Sequence, residues 1–162
     1  MYYFREEKSA CRRMQGRRVE ILKEAITVDE EARRKQTQET AAKLFGKGIK
    51  MDPPYLTWKE FNRDLANDLS MFITGNLYSR TVLTLPERQM VACAMLAALG
   101  ATKELKLHLN AALNVGCDPK KLAEVIFQLA TYGGMPKVND ALDVYRDVLK
   151  ERGEWESFKK AP

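Results

Sequence analysis

The chain has 162 residues, 45% hydrophobic and 30% charged, with a formal net charge of +5 at pH 7. That length suits one soluble domain with a single core. No stretch approaches the ~20 apolar residues of a membrane span, and three cysteines, Cys11, Cys93 and Cys117, with no C-x-x-C, argue against a disulfide framework.

A single histidine makes ordinary zinc ligation a poor fit. The N-terminus M-Y-Y-F-R-E-E-K lacks the apolar run of a signal sequence, so the expected location is cytoplasmic. The positive charge is uneven: residues 1–50 hold 13 Lys/Arg against 8 Asp/Glu, and residues 51–162 hold 14 of each. A basic arm of this kind can meet nucleic acid or an anionic membrane surface. Its acids are interspersed, which favours a solvated helix face, and neither partner is expected.

Glycine and proline are sparse, which favours helices over a sandwich or barrel. Residues 6–26 read as a helix with a partial apolar stripe (Met14, Ile21, Leu22, Ala25, Ile26). Asp29 is a candidate cap for a second helix towards Phe45, ended by Gly46 and Gly48. This helix has no Leu, Ile, Val or aromatic residue from Glu30 to Lys43, so it is exposed, covered by a partner subunit, or partly disordered. Met51-Asp52-Pro53-Pro54 reads as a linker. Thr57 and Glu60 read as a capping box opening a helix whose stripe Trp58, Phe61, Leu65, Leu69, Phe72 and Ile73 should face the core. Thr84 and Glu87 repeat the device, with Pro86 in the first turn and Met90, Val91, Ala94, Met95 and Ala98 expected inward.

Thr102 is expected to cap a helix to Val115, and Asp118-Pro119 to open another carrying Leu122, Val125, Ile126, Leu129 and Ala130 inward. After the Gly133-Gly134 break, Pro136 begins a long helix with Val138, Ala141, Leu142, Tyr145 and Val148/Leu149 inward. A loosely held tail follows from Glu154, in which Trp155 and Phe158 could dock. The expected architecture is all-α, six or seven helices in an antiparallel bundle. Three parts are expected: a basic helical extension (1–52), the helical domain (53–153) and the tail (154–162).

His108 is the first candidate for chemistry, because a neutral imidazole takes or gives a proton near neutral pH. Glu104, one turn earlier on the same face, could fix its tautomer and raise its basicity. A structural histidine bonded to a helix partner is the alternative. Arg80 and Arg88 flank the Thr84 cap and could each grip a carboxylate with two parallel bonds; otherwise they are surface arginines. Tyr78 and Tyr132 sit at element ends, where a phenol can reach a ligand or simply pack. Cys93 reads as a small core residue. Cys117 precedes a helix N-terminus, where a thiolate can be stabilised, but it has no resolving partner in sequence.

Several segments together resemble the carboxymuconolactone decarboxylase family. They are Gly75-Asn76-Leu77-Tyr78-Ser79-Arg80, with Tyr78 where the family usually has tryptophan; Arg88, opening the next helix; Ala97 to Gly100, then Glu104, Leu105 and His108; Ala112 to Gly116; and Gln128, Tyr132, Gly134 and Pro136. Upstream, Gly16 to Leu22 resembles the family's N-terminal helix, although Lys23-Glu24 stands where the family usually continues G-D. The resemblance implies an alkylhydroperoxidase-D-like helical subunit assembling into rings, commonly hexamers or trimers. It also implies a lyase of aromatic-compound catabolism that removes CO2 from a small carboxylated lactone without metal or organic cofactor. In that reading His108 and Glu104 are catalytic, and Arg80, Arg88, Tyr78 and Tyr132 bind substrate. A sister branch reduces peroxides through a C-x-x-C pair that this chain lacks, which disfavours thiol peroxidase activity. The reading from a different class is a non-catalytic helical oligomer whose basic N-terminal arm binds a partner.

Overall fold

A computed structural model of the chain describes residues 29–161, with Arg17 and Glu20 upstream. The helix expected over 6–26 otherwise lies outside the described residues. Those residues are helical or loop, with no strand. The elements are α1 (29–45), α2 (Pro54–Phe61), α3 (Arg63–Ser70), a π-helical turn (Met71–Leu77), α4 (Leu85–Leu99), α5 (Thr102–Asn114), α6 (Pro119–Phe127), α7 (Leu129–Tyr132), α8 (Met135–Glu151) and α9 (Trp155–Lys160). No helix among the described residues is long and apolar enough to cross a membrane.

The core lies among α4, α5, α6 and α8. Cys93 and Ala97 of α4 join Leu105, Leu109 and Ala112 of α5, Leu122 and Ile126 of α6, and Val138, Ala141, Tyr145, Val148 and Leu149 of α8. The tail docks on it as α9: Trp155 and Phe158 stack, and Phe158 sets its edge near Tyr145. Tyr145 is buried, and its hydroxyl donates to the Pro119 carbonyl at 2.9 Å.

The local signals at α4 and α6 are realised atom by atom. Thr84 accepts from the Glu87 amide while Glu87 accepts from the Thr84 amide. Asp118 accepts from the amides of Lys120 and Lys121 at the start of α6. Gly100 ends α4 at φ 72°, a left-handed conformation that glycine adopts without steric cost.

Other expectations are corrected. Thr57 opens nothing: Pro53 is the N-cap and Pro54 the first helical residue of α2, because a proline there loses no helical bond. Thr102 is the first residue of α5 rather than its cap. Ala130 is exposed. The stripe from Trp58 to Ile73 does not lie on one helix. Asn62 takes an extended conformation, ends α2, and caps α3 by accepting from the Leu65 amide, as asparagine does well. Phe61 is consequently 87% exposed, and Leu65 and Phe72 are also exposed.

The inward face of α4 is also reversed. Gln89, Ala92, Cys93 and Ala97 are buried, whereas Val91, Met95 and Ala98 are exposed and Met90 and Ala94 only half-buried. Both faces of α4 are apolar, and the face of small residues is the one that allows close approach to α5, its most extensive partner.

α1 is exposed along most of its length, yet Thr37, Thr40 and Leu44 are buried. Thr37 satisfies its hydroxyl on the Arg33 carbonyl at 2.7 Å, so its methyl can turn inward. The loop after α1 is held by Asn114, whose amide donates to the carbonyls of Leu44 and Lys47. Gly75 of the π-turn is buried against α1, and a Cβ at that position would run into Thr37 Oγ1.

Gly75→Ala is therefore expected to lower stability by about 1–3 kcal/mol through overpacking, although alanine is otherwise the better helix former. Urea unfolding of the single variant and of Gly75→Ala with Thr37→Ala checks this, the second change restoring part of the loss. A more stable Gly75→Ala would remove the contact as the reason for glycine.

Candidate active site

The π-turn fixes the first wall of the site. Its wider coil is closed by the Tyr78 amide donating to the Ile73 carbonyl at 2.9 Å, and Ser79 Oγ donates to the Gly75 carbonyl. This holds the Tyr78 ring against His108 of α5, with centroids 6.5 Å apart and planes at 27°. From α1, Phe45 presents its edge to the same imidazole at 6.2 Å and 87°. From α4, the Gln89 carbonyl oxygen lies 2.9 Å from His108 Nδ1. Three elements thus enclose the imidazole on α5.

This surrounding is mostly aromatic and poor in charge. Burial pulls the His108 pKa below its ordinary 6.5, and the more distant Glu104 opposes that pull only in part. The resting imidazole at neutral pH is therefore neutral. Burial likewise pushes the Tyr78 phenol above its ordinary value, with Cys93 adding to it and smaller opposing pulls from the Gln89 amide and the Arg88 guanidinium.

The structure treats the predicted residues unequally. His108 and Tyr78 are brought together, and the Arg88 guanidinium acts on the phenol through space. Arg88 donates through Nη2 to the Arg80 carbonyl at 3.1 Å, while its buried Nε has no partner among the described residues. The Arg80 side chain is exposed.

Glu104 makes no hydrogen bond to the imidazole among the described residues: it lies exposed in the first turn of α5, and Nδ1 is met by Gln89 instead. Its influence on the ring is through space. Tyr132 is separated from the others. It is 83% exposed and lines an apolar groove of about 780 Å³ on the outer face of α4, with Met90, Val91, Met95, Val125 and Leu129. None of His108, Tyr78, Arg80 or Arg88 lines that groove.

Gln89 and Phe45 were missed in the sequence. The available signal for Gln89 was that it is the one side-chain amide in an otherwise apolar or charged helix. Phe45, at the end of a polar helix, gave none. Cys93 and Cys117 are buried in the core, where desolvation pushes their thiols up to about 12 and about 11. They rest as inert thiols, the reverse of what a peroxidatic cysteine requires. Among the described residues no group of three His, Cys, Asp or Glu side chains stands together to hold a metal ion.

Residues 64–147, which run from α3 into α8 and include every predicted site residue, match the Carboxymuconolactone decarboxylase family. The chain is 37% identical over 94 residues to the 4-carboxymuconolactone decarboxylase of Acinetobacter baylyi, covering 58% of this chain and 70% of that protein. It is 29% identical over 82 residues to an uncharacterized 15.0 kDa protein from the nqo9-nqo10 intergenic region of Paracoccus denitrificans, covering 49% of this chain and 61% of that protein. The chain belongs to the carboxymuconolactone decarboxylase family.

Proposed function

We propose that the chain is a cofactor-free decarboxylase acting on 4-carboxymuconolactone or a related small carboxylated lactone. What carries this reading is a neutral, half-buried histidine in an aromatic slot with an incompletely bonded arginine close by, in a chain 37% identical to a 4-carboxymuconolactone decarboxylase.

The chemistry asks for two things. The departing carboxylate has to be held by a cation and stripped of water, and the electrons left behind have to be met by a proton. Arg88, with its unpartnered Nε, and the exposed Arg80 are the cations on that side of the site. The bond to the carboxylate carbon breaks, its electron pair moves into the unsaturated lactone, and CO2 leaves. His108 then delivers a proton to the ring carbon, forming the new C–H bond, and water restores the proton to His108.

A resting neutral imidazole fits this sequence, because a bound substrate carboxylate favours the imidazolium and so draws the proton in when it is needed. Glu104 adds negative potential at a distance, and Tyr78 forms the slot wall. Tyr132, on the outer groove, has no contact with this chemistry.

We further infer a homo-oligomer, a hexamer or trimer ring in keeping with the family resemblance. Two outward apolar surfaces support it: the α4 groove, and the α2–α3 arm with Phe61, Leu65 and Phe72. A ring requires two different complementary surfaces on each copy.

Incubation with 4-carboxymuconolactone is expected to release CO2. His108→Ala should lower kcat by about 10²–10⁴-fold, the range for a positioned proton donor, and Arg88→Ala should raise KM. Because the free enzyme's His108 titrates below 6.5 and the acid form is the active one, kcat/KM should fall as pH rises through that lowered value. Full activity in His108→Ala, or no turnover of any carboxylated lactone, would overturn the assignment. Separately, Met95→Lys should convert the assembly to a smaller species in size-exclusion chromatography with light scattering. An unchanged mass would exclude the α4 face as an interface.

A further inference from the structure

Gln89 is fully buried, and an amide taken out of water is costly unless it is hydrogen-bonded. Only one of its ends is satisfied. Oε1 lies 2.9 Å from His108 Nδ1, whereas Nε2 makes no well-formed hydrogen bond among the described residues. A carbonyl oxygen can only accept, so this contact requires the proton of the neutral imidazole to be on Nδ1. The donor end of the amide lies on the side of the Tyr78 phenol, whose ionised form it favours.

Among the described residues His108 Nε2 has no hydrogen-bond partner. A free histidine in water prefers the opposite tautomer, with the proton on Nε2. The site therefore selects the form that leaves the lone pair on Nε2.

We propose that Gln89 is a positioning residue that holds His108 as the Nδ1–H tautomer, so that the proton exchanged with a ligand is always the one on Nε2. The same bond persists when the ring is charged, because Nδ1 keeps its proton in both states. One nitrogen is thus a fixed anchor and the other is the working atom. The use of that atom in decarboxylation rests on the function proposed above; the tautomer does not.

Other groups around the ring set its midpoint without choosing its tautomer. Glu104 on α5 acts on the ring through space, Tyr78 stacks on it from the π-turn, Arg88 on α4 adjoins Tyr78, and α1 contributes the uncharged Phe45. Reversing the Gln89 amide is the competing arrangement. It would donate to a bare Nδ1 and put the proton on Nε2.

The chain contains one histidine, so tag-free ¹⁵N-labelled protein gives a single imidazole pair in a long-range ¹H–¹⁵N correlation spectrum. Above the titration midpoint, Nδ1 is expected at a protonated, pyrrole-like shift and Nε2 at a bare, pyridine-like shift. The reverse assignment would overturn the proposal outright. Gln89→Leu should move the neutral ring to the Nε2–H tautomer. Gln89→Glu, which keeps an acceptor at nearly the same place and adds a charge, should keep Nδ1–H and raise the midpoint by about one pH unit.

A Gln89 that merely fills space would lower stability in both variants and leave tautomer and midpoint unmoved. If Gln89→Leu fails to fold, the wild-type spectrum and Gln89→Glu still decide. None of these measurements needs substrate, so absent turnover would count against the decarboxylase reading and leave this one standing. Where turnover is present, the pH limb of kcat/KM in Gln89→Glu should move upward with the midpoint.

Discussion

The close contact of α4 with α5 is the constraint on which the site depends. α4 turns its small residues, Ala92, Cys93 and Ala97, towards the core it shares with Leu105, Leu109 and Ala112 of α5. Small side chains let two helix backbones approach, and that approach allows a side chain as short as Gln89 to reach His108 on the facing helix. A bulkier residue at Cys93 would separate the helices and pull the amide off the imidazole. The core and the proton-bearing group are therefore set by the same packing surface.

Much of the fold was legible because its signals are local. The Thr84–Glu87 box, the Asp118-Pro119 start and the Gly133-Gly134 break each act within a few residues, so they read the same in the sequence and in the folded chain. The faces of α4 were not legible for a tertiary reason. Met90, Val91 and Met95 are the larger and more apolar set, and periodicity assigns the larger set to the core. Packing chose the smaller set because closeness to α5 outweighed the size of the side chains buried. The break at Asn62 was hidden similarly: Phe61, Leu65, Phe72 and Ile73 have helical spacing across it, and only the asparagine's role as a cap interrupts them.

For the site, the residue type was legible and the partner was not. A single histidine draws attention, and Glu104 at helical spacing was its natural companion. Helical spacing is a necessary condition for contact and not a sufficient one. In the first turn of α5 the carboxylate lies in water, while a neutral amide from another helix lies at the ring. The choice of a neutral partner has an electrostatic consequence. A carboxylate on Nδ1 would hold the imidazolium at neutral pH, whereas an amide leaves burial to dominate and the ring uncharged. Tyr132 was drawn in by the segment that contains it, and it belongs to the other side of α4.

The position of the arginines links the site to the outward apolar surfaces. Arg80 lies on the loop between the π-turn and α4, on which Val82 and Leu83 are exposed, as is Leu77 at the end of the π-turn. Leu83 also lines the α4 groove. Within one chain, the loop is tied at its ends by the Tyr78–Ile73 bond and the Thr84 cap, and in its middle by Arg88 on the Arg80 carbonyl. That last bond holds the Arg80 backbone, while its side chain is exposed. His108 is already held on three sides by its own chain, by Phe45, Tyr78 and Gln89. The surroundings of the imidazole are thus built from a single chain.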